Sequence, residues 1–206
     1  MLVLSSMPGA CSLSCHIALV WSGLPYQVNI VTPQIIHSPE YLEKNPTGQV
    51  PLLEDGSWKL TQNVAILSYI ATSAPTAKIG ADNADAKSQA KLISWLSYIS
   101  SDYHKAYANI FGASRMGLSK EAESELMQSA VKSLCANHLS KMDAYLASHQ
   151  FLMDERKTVA DAYFWVVTSW AYHFVPTLAA DYPNLNAYFE RLKQDAGIQR
   201  ALQEQE

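Results

Sequence analysis

The chain has 206 residues, of which 49% are hydrophobic, and its 15 Lys and Arg against 19 Asp and Glu give a net charge of -4. This length suits one small and one medium domain, and this hydrophobic content excludes a disordered chain. Because there is no basic run or arginine cluster, we expect no nucleic-acid partner. Residues 159–180 have the length of a membrane span, but Asp161, His173 and Pro176 interrupt them. We therefore expect a buried core helix there and no membrane partner.

The cysteine content indicates the compartment. Cys11, Cys15 and Cys135 are an odd and low number, which does not suit a disulfide framework. Free thiols persist in a reducing compartment. We therefore expect a cytoplasmic protein.

The first third of the chain alternates predicted strands and helices. Short apolar runs bounded by turn residues predict the strands, and Asp55-Gly56 between the last two is a strong hairpin signal. Helical spacing of apolar residues predicts the helices. The predicted elements are a strand at 2–6, a helix at 12–22, a strand at 26–31, a helix at 39–43, strands at 51–53 and 58–60, and a helix at 64–73. This β-α-β-α-β-β-α order predicts a thioredoxin-like domain over residues 1–76.

A linker and a helical region follow. Pro75, Gly80 and small polar residues predict the linker at 74–86. Beyond it, we expect an all-helical C-terminal bundle domain over residues 86–206. Thr158 and Asp161 have the spacing of a capping box at the start of its central helix. The predicted helices occupy 86–111, 120–148, 159–178, 184–193 and a short segment from 197.

Cys11 lies in the turn between the first predicted strand and the first helix. A thiol there is near the positive end of a helix dipole, which favours the thiolate, and the Ser12 hydroxyl and free backbone amides add donors. The alternative is a small buried core residue. Cys15 follows at a spacing unlike that of a redox dithiol, and only His16 lies near the pair, so we expect no metal site. Cys15 and Cys135 are interpreted as buried fillers.

Two further segments could bind a peptide-like ligand. Val50-Pro51 opens a strand, and such a proline either sits at a strand edge or forms a cis bond that leaves the Val50 backbone to pair with a ligand. Gln62 and Asn63 lie at a strand-to-helix junction, where side chains and amides could hold a carboxylate. Plain helix capping by Thr61 or Asn63 is the alternative.

Five segments, in this order and spacing, resemble the glutathione transferase family and, within it, the bacterial beta class. The resemblance extends over essentially the whole chain. The segments are PGACS at 8–12, N-P-x-G-Q-V-P-x-L at 45–53, the junction at 62–63, WLSY at 95–98 with YHK at 103–105, and TVADAY at 158–163.

The resemblance implies how glutathione, the co-substrate, is bound. The cysteine matching Cys11 lies beside the glutathione sulfur and can form a mixed disulfide with it, and the histidine matching His104 reaches towards that sulfur. No metal is implied. The expected catalytic residues are Cys11, His104 and Ser12; the expected glutathione-binding residues are Gln49, Val50, Pro51, Gln62, Asn63 and, from across a homodimer, Ser97; and Tyr107 and Trp170 are expected at the second-substrate pocket.

The implied function is conjugation of glutathione to electrophilic, often hydrophobic, small molecules, a detoxification activity. Thiol–disulfide exchange through Cys11 is also open. The alternative is a non-catalytic ligand-binding or interaction protein with the same fold. The chain departs from the beta-class pattern at Gln62, usually acidic, and at Ser97, often Asn. It also lacks a tyrosine near Ser6 and a lysine within 32–37, and the missing lysine removes a contact to a glutathione carboxylate worth about 1.5–3 kcal/mol.

Overall fold

The computed structural model describes residues 1–82, 85–154 and 156–206. Its N-terminal part is built on a four-stranded mixed sheet with the strand order β2-β1-β3-β4. The strands are β1 (Leu2–Ser6), β2 (Tyr26–Ile30), β3 (Leu52–Asp55) and β4 (Trp58–Thr61). β1 runs parallel to β2 and antiparallel to β3. β3 and β4 form the predicted hairpin, in which Asp55 pairs with Trp58 across the turn.

Helices cover both faces of this sheet. They are α1 (Leu13–Ser22), α2 (Pro33–Ile36), α3 (Pro39–Lys44) and α4 (Asn63–Ser73). Successive residues of a strand point to opposite faces, so Leu53 joins the main core with the buried residues of α1 and α4. Leu52 instead packs in a second cluster with Ile36 and Tyr41. The predicted thioredoxin-like layout is therefore confirmed.

The rest of the described chain is helical. Its α-helices are α5 (Ala86–Tyr98), α6 (His104–Ala106), α7 (Ala108–Gly112), α8 (Lys120–Leu134), α9 (Ser140–Leu146), α10 (Val159–Phe174), α11 (Leu178–Asp181), α12 (Pro183–Lys193) and α13 (Ala196–Gln203). Two wide turns of π-helix, Ile99–Tyr103 and Cys135–Leu139, directly follow α5 and α8. They interrupt the two segments that were predicted as continuous helices, 86–111 and 120–148. The prediction that the central helix continues to 178 is wrong. It ends at Phe174 because Pro176 disfavours helical backbone at Val175.

The central helix α10 is buried along most of its length, and the predicted capping box at its start is present. The Asp161 carboxylate accepts hydrogen bonds from the backbone N–H and the hydroxyl of Thr158, at 2.7 and 3.0 Å. It also accepts from the Leu152 N–H and the Tyr188 hydroxyl, at 2.9 and 2.8 Å. One buried carboxylate therefore joins the start of α10 to the preceding loop and to α12.

The helical region is bonded to the N-terminal part on two sides of α1, among other contacts. α1 packs against α10 and α13, and the Trp21 indole donates to Asp195 at 2.7 Å. On the other side, the Trp170 indole of α10 donates to the Gly9 carbonyl at 3.0 Å. The turn that leads into α1 is thereby held against the helical region. Within the described ranges, no helix has the length and apolar character needed to cross a membrane.

Candidate functional site

A cleft of about 600 Å³ lies where the loops at one end of the sheet meet the helical region. The N-terminal part contributes Cys11, the loop 45–51 and the start of α4. The helical region contributes one face of the segment from Ser100 to Arg115, together with Tyr163 of α10. The cleft therefore brings together most of the site residues that the sequence predicts.

Cys11 lies two residues before α1 and lines this cleft. Its thiol points to the Val50 carbonyl, with the sulfur 3.9 Å from that oxygen. Desolvation by burial raises the pKa of Cys11 to about 11, and hydrogen bonds from the backbone N–H groups of Cys11 and Ser12 offset only part of this effect. The sequence-based expectation of a favoured thiolate is therefore wrong, because desolvation outweighs the helix end. Burial raises the pKa of Cys15 well above its ordinary value too.

Ser12 is fully buried and its side chain does not line the cleft. Its hydroxyl accepts hydrogen bonds from the Ser6 hydroxyl at 2.9 Å and from the Met7 N–H at 3.1 Å. The prediction that the Ser12 hydroxyl donates in the site is therefore wrong, because this hydroxyl holds the turn at the end of β1. Of the donors predicted at Ser12, only the backbone N–H remains.

The loop over residues 45–51, which precedes β3, lines the cleft from the N-terminal part of the chain. Val50-Pro51 is a cis peptide bond, which decides between the two possibilities considered for this proline. Gln49, Val50 and Pro51 all line the cleft. The Gln49 carbonyl accepts from the Asn45 amide at 2.7 Å and from the Tyr41 hydroxyl at 2.8 Å. These two hydrogen bonds fix the position of the loop at Gln49.

Gln62 and Asn63 form the end of the cleft at the N-terminus of α4, and they differ in their environment. Gln62 is exposed and has φ = 73°, a strained backbone conformation for a residue other than glycine. Asn63 is buried, and its side chain donates to the Ser14 hydroxyl at 2.8 Å and accepts from the Cys15 thiol at 3.1 Å. The Asn63 side chain is thus bonded within the fold, and its backbone N–H at the start of α4 is the group best placed for a ligand.

His104 begins α6, directly after the first wide turn, and it lines the cleft. Its Nδ1 lies 2.8 Å from the Tyr163 hydroxyl. Desolvation by burial lowers the pKa of His104, so the ring is neutral at pH 7. A neutral ring that accepts the Tyr163 O–H at Nδ1 carries its proton on Nε2. The pair therefore offers a hydrogen-bond donor on the ring's other nitrogen.

Tyr163 is a cleft residue that sequence reasoning missed, although it ends the segment 158–163. Desolvation by burial, followed by the nearby Cys11, raises its pKa. The hydroxyl is therefore neutral and can donate to His104. The sequence did place Tyr163 near the site. Tyr163 stands two residues after the capping residue Asp161, at the start of helix α10, and α10 packs against α1. Lys105 and Arg115, which also line the cleft, were missed as well.

The remaining predicted residues occupy three different positions. Tyr107 lines the cleft, and its hydroxyl has no hydrogen-bond partner within the described part of the chain. Trp170 lies one layer behind, with ring contacts to Tyr107 at 5.4 Å and to Phe111 at 5.4 Å. Ser97 is exposed on α5 and does not line the cleft of its own chain.

The fold and the site together define a class: a thioredoxin-like domain with a cysteine before its first helix and a cis-proline beside it, closed by an all-helical region. Comparison with known proteins identifies the family. A sequence model of the glutathione S-transferase N-terminal domain matches residues 2–72, and one of the C-terminal domain matches residues 93–195. The chain belongs to the glutathione S-transferase family and has that family's transferase function.

Individual relatives resemble the chain over its whole length. It is 37% identical to glutathione S-transferase GST-4.5 of Xanthomonas campestris, over 97% of both chains. It superposes on a glutathione S-transferase from Xylella fastidiosa with a TM-score of 0.92 and 35% identity, over 100% of this chain and 98% of that one. A bacterial beta-class enzyme from Sphingomonas chungbukensis gives 0.85 and 32%, over 98% of both. The non-catalytic alternative is not favoured.

Proposed function

We propose that the cleft binds glutathione with its thiol between Cys11 and His104 and transfers it to a small electrophile. The observation that carries this proposal is that Cys11, Val50 and His104 line one cleft between the two parts of the chain. The γ-glutamyl end lies at Gln62 and Asn63, where backbone N–H groups at the start of an 11-residue helix suit a carboxylate. The backbone of the central cysteinyl residue pairs with Val50, with Gln49 and Pro51 beside it.

Neutral donors stabilise the reacting sulfur in this proposal. The glutathione thiol loses its proton to solvent, and the thiolate accepts hydrogen bonds from His104 Nε2–H and the Cys11 S–H. The Ser12 backbone N–H adds a third donor. The thiolate attacks an electrophilic carbon, a C–S bond forms, and the leaving group departs with its electron pair. A raised pKa suits Cys11 to this role, because a protonated thiol can donate.

Disulfide exchange through Cys11 is the slower activity in this proposal. A pKa of about 11 leaves about one Cys11 in ten thousand as thiolate at pH 7. That thiolate attacks one sulfur of oxidised glutathione, forms the mixed disulfide and releases the other half as glutathione thiolate. Conjugation does not require Cys11 to ionise, so we assign it as the main activity.

The class, assembly and cellular role belong to the same proposal. The cysteine in the cleft and the likeness to a beta-class enzyme support assignment to the beta class. We infer a homodimer in which Ser97, exposed and outside the cleft of its own chain, contributes to the partner's site. A monomeric mass by light scattering at micromolar concentration would contradict this. Three free cysteines are in keeping with a cytoplasmic detoxification enzyme.

Steady-state conjugation of 1-chloro-2,4-dinitrobenzene tests the assignment. We expect glutathione-dependent turnover, a decrease in kcat/KM of about 10–100-fold in His104→Phe, which cannot donate to the thiolate, and a smaller decrease in Cys11→Ala. Cys135→Ala is the matched control, since Cys135 does not line the cleft. Absence of turnover in the wild-type chain, or equal effects of His104→Phe and Cys135→Ala, would refute the proposed mechanism.

A further inference from the structure

The helical wall of the cleft is formed by the segment that follows α5. Ser100, His104, Ala108, Phe111 and Arg115 all line it. After the π turn this segment continues through α6, α7 and a 3₁₀ turn at Ala113–Arg115, so Arg115 comes eleven residues after His104. The wall therefore extends well beyond the position proposed for the glutathione sulfur.

Contacts on either side of His104 distinguish the two ends of the cleft. At one end, Tyr163 bonds to His104 and lies near Ser100 and Asn63, which begins α4. On the other side, Phe111 and Arg115 come after His104 along the segment, and Phe111 packs on Trp170. The Trp170 ring lies behind this stretch, since it also contacts His104 at 4.9 Å and its indole is bonded to the Gly9 carbonyl.

The charge of the cleft is one-sided. Among the described residues that line it, Lys105 and Arg115 are cationic and none is acidic. Arg115 is exposed, and its recorded hydrogen bond is a long one of 3.4 Å to the Phe111 carbonyl. No ion pair of Arg115 is present within the part of the chain that the structure describes. Its guanidinium therefore has donors available at the far end of the wall.

Phe111 supplies an apolar surface next to this charge. Its side chain is 44% exposed, although it has ring contacts with Tyr107 and Trp170. An aromatic ring that stacks on Phe111 would place a substituent near the guanidinium one helical turn further on. A planar guanidinium binds a carboxylate or a sulfonate through two parallel hydrogen bonds.

We propose that the second substrate is an aromatic electrophile that carries an anionic group, with its ring against Phe111 and its anion on Arg115. This inference rests on the conjugation proposed above. A carboxylate of glutathione is the competing occupant. In the proposed pose the γ-glutamyl carboxylate is held at the start of α4, beside Gln62, so the KM for glutathione distinguishes the two occupants.

A matched pair of substrates tests the charge preference. In 4-chloro-3-nitrobenzoate, glutathione thiolate attacks C4, the C–S bond forms, the C–Cl bond breaks, and chloride leaves with the electron pair. The thiol proton goes to solvent. 4-Chloro-3-nitrobenzamide reacts in the same way and has nearly the same shape, but it is neutral. Dividing each kcat/KM by the uncatalysed rate constant removes the difference in intrinsic reactivity between the two.

We expect the wild-type enzyme to favour the benzoate in this normalised ratio, and Arg115→Gln to lower the ratio about tenfold. Arg115→Lys should retain part of the preference, because it keeps the charge but loses the planar fork. KM for glutathione should stay unchanged in both variants. Lys87→Gln removes an exposed charge outside the cleft and is the control.

Two results would overturn the inference. One is a ratio that Arg115→Gln leaves unchanged while both substrates turn over, which would leave the transferase mechanism intact. The other is a raised KM for glutathione in Arg115→Gln, which would assign Arg115 to glutathione. If neither substrate turned over although 1-chloro-2,4-dinitrobenzene did, calorimetry with 3-nitrobenzoate and 3-nitrobenzamide would decide, and equal affinity for the two would overturn the charge preference. Only the absence of turnover with 1-chloro-2,4-dinitrobenzene as well would refute the conjugation itself.

Discussion

Glu204, just after α13, joins the last helix to the sheet domain through a charged hydrogen-bond cluster. Its carboxylate accepts from His16 Nε2–H and the Tyr26 hydroxyl, both at 2.8 Å, and from Arg200 at 2.7 Å. Burial opposes its ionisation, but hydrogen bonds from Arg200, His16 and Tyr26 outweigh this and lower the pKa of Glu204 to about 2. His16 is fully buried, and desolvation lowers its pKa despite Glu204, so a neutral ring donates to an ionised carboxylate.

The magnitude for Glu204→Gln follows from this pKa. A decrease from the ordinary 4.5 to about 2 corresponds to about 3 kcal/mol of stability at pH 7, at about 1.4 kcal/mol per pKa unit. The side chain is one-third exposed, and water screens such pairs, so we expect about 1–2 kcal/mol. Because the pKa is lower in the folded chain, this stability is complete above pH 4.5 and is lost as the pH falls towards 2.

Urea unfolding at pH 7 and at pH 3 measures this effect. We expect Glu204→Gln to lower the free energy of unfolding at pH 7, and the difference from wild type to roughly halve at pH 3, where the wild-type carboxylate is mostly protonated in the unfolded chain but still mostly ionised in the folded one. Glu206→Gln is the control, because it removes an exposed carboxylate two positions away. A deficit of the same size at both pH values, or one matched by Glu206→Gln, would refute the argument from charge.

Three further outcomes are expected from the site and the core. Oxidised glutathione should add one glutathione, at Cys11, faster as the pH rises towards 11; peptide mapping that finds the adduct on Cys135 would contradict this. Tyr163→Phe should lower kcat/KM for conjugation by about tenfold with KM for glutathione unchanged, since it removes the donor to His104; unaltered kinetics would exclude that role. Asp161→Ala should cost about 3–5 kcal/mol in urea unfolding, because buried donors lose their acceptor, and a cost below 1 kcal/mol would be inconsistent with the network.

Local patterns in the sequence were enough to predict the fold. The hairpin at Asp55-Gly56 follows from a dipeptide that adopts the required turn, and α10 begins at the residue after Thr158 because the capping partner Asp161 stands three positions later. Each of these signals involves residues within a few positions of one another. Here the packed fold keeps what these local signals predict, and the thioredoxin-like order of elements was confirmed.

The roles of polar side chains in the site were harder to predict. Asn63 has the position of a ligand-binding residue at a helix start, yet its side chain bonds to Ser14 and Cys15, which are 49 and 48 positions away. Ser12 has the position of a catalytic hydroxyl, yet it bonds to Ser6 and Met7. Both side chains found partners inside the fold, and only the packed structure decides whether a polar group keeps its capacity for a ligand.

The two wide π turns show the same limit in the backbone itself. Core residues of the first long helical segment, from Leu92 to Ile110, keep an ordinary helical spacing, so no local pattern predicts the turn at Ile99–Tyr103. This turn faces the second one, Cys135–Leu139: the Tyr98 hydroxyl lies 3.1 Å from His138 Nδ1, and the Tyr103 and His138 rings are 5.5 Å apart. A π turn inserts an extra residue and changes the direction of every side chain after it. Because His104 is the next residue, its place in the cleft depends on a contact with a helix more than 30 positions further along the chain.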